Sequence, residues 1–167
     1  QALLLSVLFL ALTVTAGLLL AGARSSPVIA SAAGYPVKLH LTLGMFGAFL
    51  LGIIGSGQKL LSMFALSKGG VEWRVRLATW LVAAGIIAET VAAFTTVHAG
   101  QLPILLLAAG SLLQVWEVTA IHRRRLRRKL EAPVFRYVLA HAFLPLAGVL
   151  LLAGEPVAAA AAFLVGF

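Results

Sequence analysis

Three histidines that border or interrupt apolar runs are the residues of this chain best suited to bind a cofactor. His40 lies near the start of one run, His98 at the end of another, and His141 inside a third. A neutral imidazole nitrogen is a common ligand of haem iron. His40 and His98 have similar depth on different helices, so they could hold one iron from opposite sides. His141 lies deeper, where it could bind a second haem, enter a proton relay, or form an ordinary interior hydrogen bond.

Two carboxylates at membrane depth form a second group of candidates. Glu89 lies near the middle of its apolar run, and Glu117 follows Gln114 by one helical turn. Desolvation disfavours a lone charge at such depth, so each carboxylate should be protonated or paired. Lys59 can extend toward the membrane surface along its aliphatic stem, which makes it a weaker functional candidate.

Glycines follow His40 along one face of its predicted helix. Steps of three and four residues from His40 reach Gly44, Gly47 and Leu51, which share a helix face. Glycines at such spacing let two helices approach closely. They could equally make room for a flat macrocycle below the histidine. Gly44 and Gly47 are therefore candidate cofactor-binding residues, with helix packing as the alternative.

The composition places these residues in a membrane protein. Hydrophobic residues make up 62% of the 167-residue chain and charged residues 11%, whereas a soluble domain has about 45–50% apolar and about 25% charged residues. The chain contains no cysteine, which excludes disulfides, thiolate metal sites and haem attachment through cysteine. We expect one integral membrane domain over 1–167, with the lipid bilayer as its main partner.

Apolar runs define the expected helices. A spanning helix needs roughly 20 predominantly apolar residues, and five runs qualify: Ala2–Ala23, Val37–Leu66, Val75–Val97, Leu102–Ile121 and Val134–Ala153. A sixth run begins at Pro156 and stops at Phe167, a rise of only about 18 Å, which is too short for a ~30 Å hydrocarbon core. The predicted fold is an all-α polytopic transmembrane bundle with five full spans and a partial sixth, in which the printed chain ends.

Basic residues are concentrated in alternate connections between the runs. Lys68, Arg74 and Arg76 surround the second connection, and the stretch 123–129 in the fourth holds five arginines and one lysine. Cytoplasmic loops carry an excess of such residues, so the N-terminus and both connections are predicted to be cytoplasmic. The net charge of +8 then reports topology, and no nucleic-acid partner is expected. The arginines could also contact anionic lipid head groups or dock a soluble partner.

One helix has a distinctive pattern. It opens with a histidine, a leucine and spaced glycines, and closes with Lys-Leu-x-x-Met-Phe; the residues are His40, Leu41, Gly44, Gly47, Gly55, Lys59, Leu60, Met63, Phe64 and Leu66. This pattern resembles a helix of short prokaryotic membrane proteins that are themselves similar to subunit I of haem-copper oxidases and nitric-oxide reductases. The stretch from Gln114 to Arg128, with its arginine-rich end, is also similar to them.

The resemblance implies a haem b inside the bundle, with His40 as an axial ligand, in a multi-pass protein of the prokaryotic cytoplasmic (inner) membrane. Where those proteins often have His-x-His, this chain has Lys38-Leu39-His40, and it lacks the His-His pair that would hold copper. Oxygen reduction by this chain alone is therefore not expected. The implied function is electron transfer or binding of NO, CO or O2, as a homo-oligomer or with other respiratory-chain subunits. Whether the chain is itself an enzyme stays open.

Two other functions fit the same sequence. A proton- or ion-translocating or transporter subunit would use Glu89, Glu117 and His141 as a relay, with Lys59 nearby. A structural or assembly subunit would use its glycines only to pack helices. Buried carboxylates on neighbouring spans favour the first alternative.

Overall fold

The fold is helical throughout the part of the chain that the structure describes. This computed structural model describes residues 1–26, 37–67, 70–94, 100–126, 132–141, 143–152, 158 and 161–162. The helices are α1 (Ala2–Ser25), α2 (Val37–Thr42), a π-helical segment (Leu43–Leu50), α3 (Leu51–Ala65), α4 (Glu72–Phe94), α5 (Leu102–Arg123), α6 (Ala132–Ala140) and α7 (Phe143–Leu152). The all-α prediction is confirmed.

Four helices are long and apolar enough to cross a membrane: Ala2–Ser25, Leu39–Ala65, Glu72–Phe94 and Leu102–Arg123. They correspond to the first four predicted spans, with ends that differ by a few residues. We refer to Leu39–Ala65 as the second spanning helix, since α2, the π-helical segment and α3 run on without a break. The N-terminal orientation stays a prediction.

The predicted fifth span, Val134–Ala153, is not one continuous helix. Its described residues form α6 and α7, and His141 lies outside both. Pro145 in α7 explains the break, because proline has no backbone N–H to donate to the carbonyl group of His141 four residues earlier. The sequence prediction considered hydropathy and overlooked this proline. The predicted sixth run, from Pro156, lies almost wholly outside the described residues.

The antiparallel helices α4 and α5 pack closely through two glycines. A Cβ atom on Gly85 would lie 2.8 Å from the carbonyl oxygen of Pro103, and one on Gly110 would lie 3.0 Å from that of Ala78. Backbone atoms cannot move aside as a flexible side chain can, so any larger residue would separate the helices. This pairing brings the start of α4 beside the end of α5.

The end of α3 directs the chain toward α5. Leu66 adopts a left-handed conformation with φ 49°, which a Cβ atom disfavours and glycine accepts. The backbone N–H of Ser67 donates to the carbonyl oxygen of Ser62 at 3.0 Å, which closes the helix end. Beyond this turn, a Cβ atom on Gly70 would lie 3.2 Å from Oε2 of Glu117, so the connection reaches the polar residues of α5.

Candidate functional site

His40 lies at the contact between α1 and the second spanning helix. A Cβ atom on Gly17 would lie 3.0 Å from Cε1 of His40, so the imidazole ring rests on the α1 backbone. The side chain is half-buried. Its Nδ1 atom is buried and has no hydrogen-bond partner among the described residues. Buried polar atoms are usually paired, so this nitrogen is available to a ligand or a water molecule.

The glycine face below His40 is covered by α1. Gly44 lies against Thr13, and a Cβ atom on Gly47 would lie 2.7 Å from Cβ of Phe9. The same contact continues along α1, with Gly52 against Ser6 and Gly55 against Leu3. Phe9 is 4% exposed, so this part of the groove is filled. Gly44 and Gly47 therefore pack against α1 in this structure.

The π-helical segment Leu43–Leu50 shifts the register of this face. Its i→i+5 hydrogen bonding adds a residue to the turn, and the face that meets α1 passes from Gly47 to Gly52. Regular α-helical spacing predicted Leu51 at that position of the stripe. The segment begins directly after the helix that carries His40, and π-helical turns are frequent at functional sites.

A polar group, here called the glutamate cluster, lies where α3, the start of α4 and α5 meet; it consists of Gln58, Arg74, Gln114 and Glu117. The Glu117 side chain is 1% exposed. Its Oε1 atom accepts a hydrogen bond from the Arg74 guanidinium at 3.1 Å, and Oε2 accepts from the backbone N–H of Val71 at 3.0 Å. Burial of a carboxylate is tolerable when donors surround it, and both contacts also fix the connection into α4.

The two glutamines of the cluster are paired with each other. Nε2 of Gln58 donates to Oε1 of Gln114 at 3.0 Å, and both side chains are buried. Their remaining amide atoms, Oε1 of Gln58 and Nε2 of Gln114, are buried without partners among the described residues. Ser111, on the same helix as Gln114, also has a buried hydroxyl with no described partner. These atoms give the cluster a capacity to bind water or a small polar ligand.

His141 is oriented by the last turn of α6. The residue is 1% exposed, and its Nδ1 atom lies 2.8 Å from the backbone carbonyl oxygen of Tyr137. A carbonyl oxygen only accepts, so Nδ1 carries the proton of this hydrogen bond and Nε2 bears the lone pair of the neutral ring. Histidines that bind metals commonly use this arrangement, with one nitrogen donating to a carbonyl and the other binding the metal.

Tyr137 links this region to the second spanning helix. Its hydroxyl group donates to the carbonyl oxygen of Ile53 at 3.4 Å and lies where a Cβ atom of residue 57 would be. Its ring packs against the His141 imidazole, with centroids 4.6 Å apart. Gly57 is therefore required by Tyr137, a reason that the sequence pattern did not reveal.

The sequence-predicted residues lie on several different elements within the described part of the chain. His40 and Lys59 lie toward opposite ends of the second spanning helix, and Lys59 is exposed. Glu89 is half-buried on α4. His98 lies outside the described residues, so its pairing with His40 stays a prediction. Among the described residues, no three His, Asp or Glu side chains lie close enough to share a metal ion.

Arg74 is the functional-site residue that the sequence interpretation missed, because it was counted only as a topology charge. The signal was present, since a buried carboxylate such as Glu117 requires a cation and Arg74 begins the neighbouring helix. Its 30% exposed side chain joins the polar interior to the surface.

Known proteins give no further guide to function. No protein-family model, curated protein or solved structure matches this chain. Function must therefore be inferred from the chemistry of these side chains.

Proposed function

We propose that this chain is a membrane-embedded haem b protein that transfers electrons or binds a small gas, alone or within a respiratory complex of the prokaryotic cytoplasmic membrane. The observation that carries the proposal is the orientation of His141, whose buried imidazole donates through Nδ1 to a backbone carbonyl at 2.8 Å. The lone pair of the neutral ring is then on Nε2, through which His141 would hold a haem iron. A bound haem would supply one-electron redox chemistry, or gas binding where one iron position stays open.

His40 supports the proposal in a different way. Its Nδ1 atom is buried and has no hydrogen-bond partner among the described residues. Buried polar atoms are usually paired, so this nitrogen would be able to bind a haem iron. The contact with Gly17 fixes one face of the ring against α1. We propose His40 and His141 as ligand residues for one haem or two, with His98 as a further candidate.

The glycine face does not fit the same group. Phe9 and Thr13 fill the space beside Gly47 and Gly44, so a macrocycle would displace α1 from its main contact with the second spanning helix. The residues present fit a haem through their imidazoles only. The proposal accordingly assigns no cofactor contact to Gly44 or Gly47.

The test is the reduced-minus-oxidised absorption spectrum of the purified chain after expression with ample haem. We expect a Soret band and b-type visible bands that weaken or shift in His141→Ala and in His40→Ala. His122→Ala is the matched control, since this imidazole is engaged by Arg125 at 2.7 Å at the end of α5. Absence of any Soret band in the unmodified chain rejects the haem proposal. Haem that is retained with an unchanged spectrum in both variants rejects the ligand assignments alone.

A second candidate function is translocation of protons or ions, and the glutamate cluster favours it. Gln58 and Gln114 keep buried amide atoms without described partners beside the buried Glu117, which is a setting for a bound water or ion. Glu117 itself accepts from Arg74 and from a backbone N–H, so it would act as a fixed anion. Proton or cation flux into liposomes should fall in Glu117→Gln and Gln114→Leu, with the exposed Glu72→Gln as the control. Flux that equals that of the unmodified chain in all three variants rejects this candidate function.

A further inference from the structure

A cavity lies between the start of α4 and the second half of α5. We call it the arginine cavity. Its volume is about 610 Å³, and its lining residues are Arg74, Leu112, Val115, Trp116, Thr119, Ala120, Arg123 and Arg124. It belongs to neither the proposed haem ligands nor the amide pair of the glutamate cluster.

The polar end of the arginine cavity is strongly cationic. Arg74, Arg123 and Arg124 contribute three guanidinium groups, and no Asp or Glu occurs among the described lining residues. Arg74 uses its NH1 group for Glu117, and a guanidinium carries five N–H donors in all. Arg123 and Arg124 are exposed. Guanidinium groups bind phosphate oxygens in pairs, which makes a phosphate group a better match than a simple halide.

The opposite end of the arginine cavity is apolar and faces outward. Leu112 is 54% exposed and Trp116 is 65% exposed, and both lie on α5, one of the four helices suited to cross a membrane. Exposed leucine at that depth contacts hydrocarbon, and tryptophan concentrates at the membrane interface. The cavity thus combines a cationic end with a wall that suits acyl chains.

We propose that the arginine cavity binds the phosphate head group of an anionic phospholipid, with its acyl chains along Leu112 and Trp116. The ligand must be both anionic and amphipathic to use the two ends together. Basic pockets between transmembrane helices are known to bind phosphate-bearing head groups. Such a lipid would also contact Arg74, the residue that pairs with Glu117.

The experiment measures lipid binding to the purified full chain in detergent by native mass spectrometry, with phosphatidylglycerol as the probe and phosphatidylcholine as the neutral comparison. We expect preferential binding of phosphatidylglycerol. Each arginine near an anionic head group contributes about 1 kcal/mol, or about a fivefold change in affinity. Arg123→Gln combined with Arg124→Gln should therefore weaken binding by about 25-fold. Both side chains are exposed, so the variant should fold, which circular dichroism checks.

The matched control is Arg76→Gln. Arg76 lies on the same turn of α4 as Arg74 and carries the same charge, but it is engaged by Glu72 and does not line the cavity. Its replacement should leave lipid binding unchanged. Equal weakening by Arg76→Gln would indicate general surface charge and overturn the proposal. Equal binding of both lipids would overturn it too, and full displacement by millimolar inorganic phosphate would identify a site for free phosphate instead.

Discussion

Replacement of Gly47 by alanine should weaken the contact between α1 and the second spanning helix. The new Cβ atom would lie 2.7 Å from Cβ and 2.8 Å from Cγ of Phe9, and the Cβ atom of Phe9 is bonded directly to the α1 backbone. Overpacking of this kind costs about 1–3 kcal/mol, and alanine returns up to about 1 kcal/mol through its helix propensity. We expect a net loss of about 1 kcal/mol in the free energy of unfolding.

The assay is reversible unfolding of the purified chain in mixed micelles, followed by circular dichroism while the denaturing detergent increases. Gly52→Ala is the matched control, because its nearest neighbour at 3.1 Å is the Oγ atom of Ser6, and the next atom lies at 3.9 Å. This variant should lose less stability than Gly47→Ala. If Gly47→Ala leaves the unfolding midpoint unchanged but abolishes a haem spectrum, the packing explanation is refuted and the macrocycle interpretation returns.

Three other variants test the fold and the glutamate cluster in the same unfolding assay. Glu117→Gln should lower the free energy of unfolding by about 2–3 kcal/mol, less than the about 3–5 kcal/mol of a fully buried pair, because Arg74 is partly exposed. The double variant with Arg74→Gln should lose less than the two single variants together, and strict additivity would refute the pairing. Gly110→Ala should destabilise by about 1–3 kcal/mol, since its Cβ atom would meet backbone atoms of α4; a neutral result would contradict the close packing. Leu66→Gly should stabilise by about 1 kcal/mol through relief of its left-handed strain, and a loss would show that the leucine side chain contributes more.

The first four spans could be predicted because hydropathy and length are local properties of the sequence. The fifth span stays a prediction, and the turn at His141 could not be predicted from hydropathy alone. Pro145 interrupts the helix at His141 because proline has no backbone N–H to donate, and an average of hydropathy does not register this loss. The π-helical segment after His40 could not be predicted either, because its residues would also suit an α-helix. Its extra residue is detected only from the structure, where it changes which glycine contacts α1.

The candidate residues could be found from the sequence because polar side chains are energetically costly inside a membrane, but their partners could not be found in this way. Glu117 was identified as a carboxylate that needs a partner, and the structure supplies Arg74 and the N–H of Val71. These groups lie more than forty positions away in sequence. No spacing rule links them, because their contact depends on how closely α4 and α5 approach at Gly85 and Gly110.

The sequence by itself determined that this chain is helical and suited to a membrane, and which few polar residues would be expensive inside it. Tertiary structure decided how those residues are used. It placed α1 over Gly44 and Gly47, packed Tyr137 against Gly57, and paired Glu117 with Arg74. The physical reason is that suitability for a membrane depends on the composition and length of a single helix, whereas contacts between helices depend on how closely the helices approach.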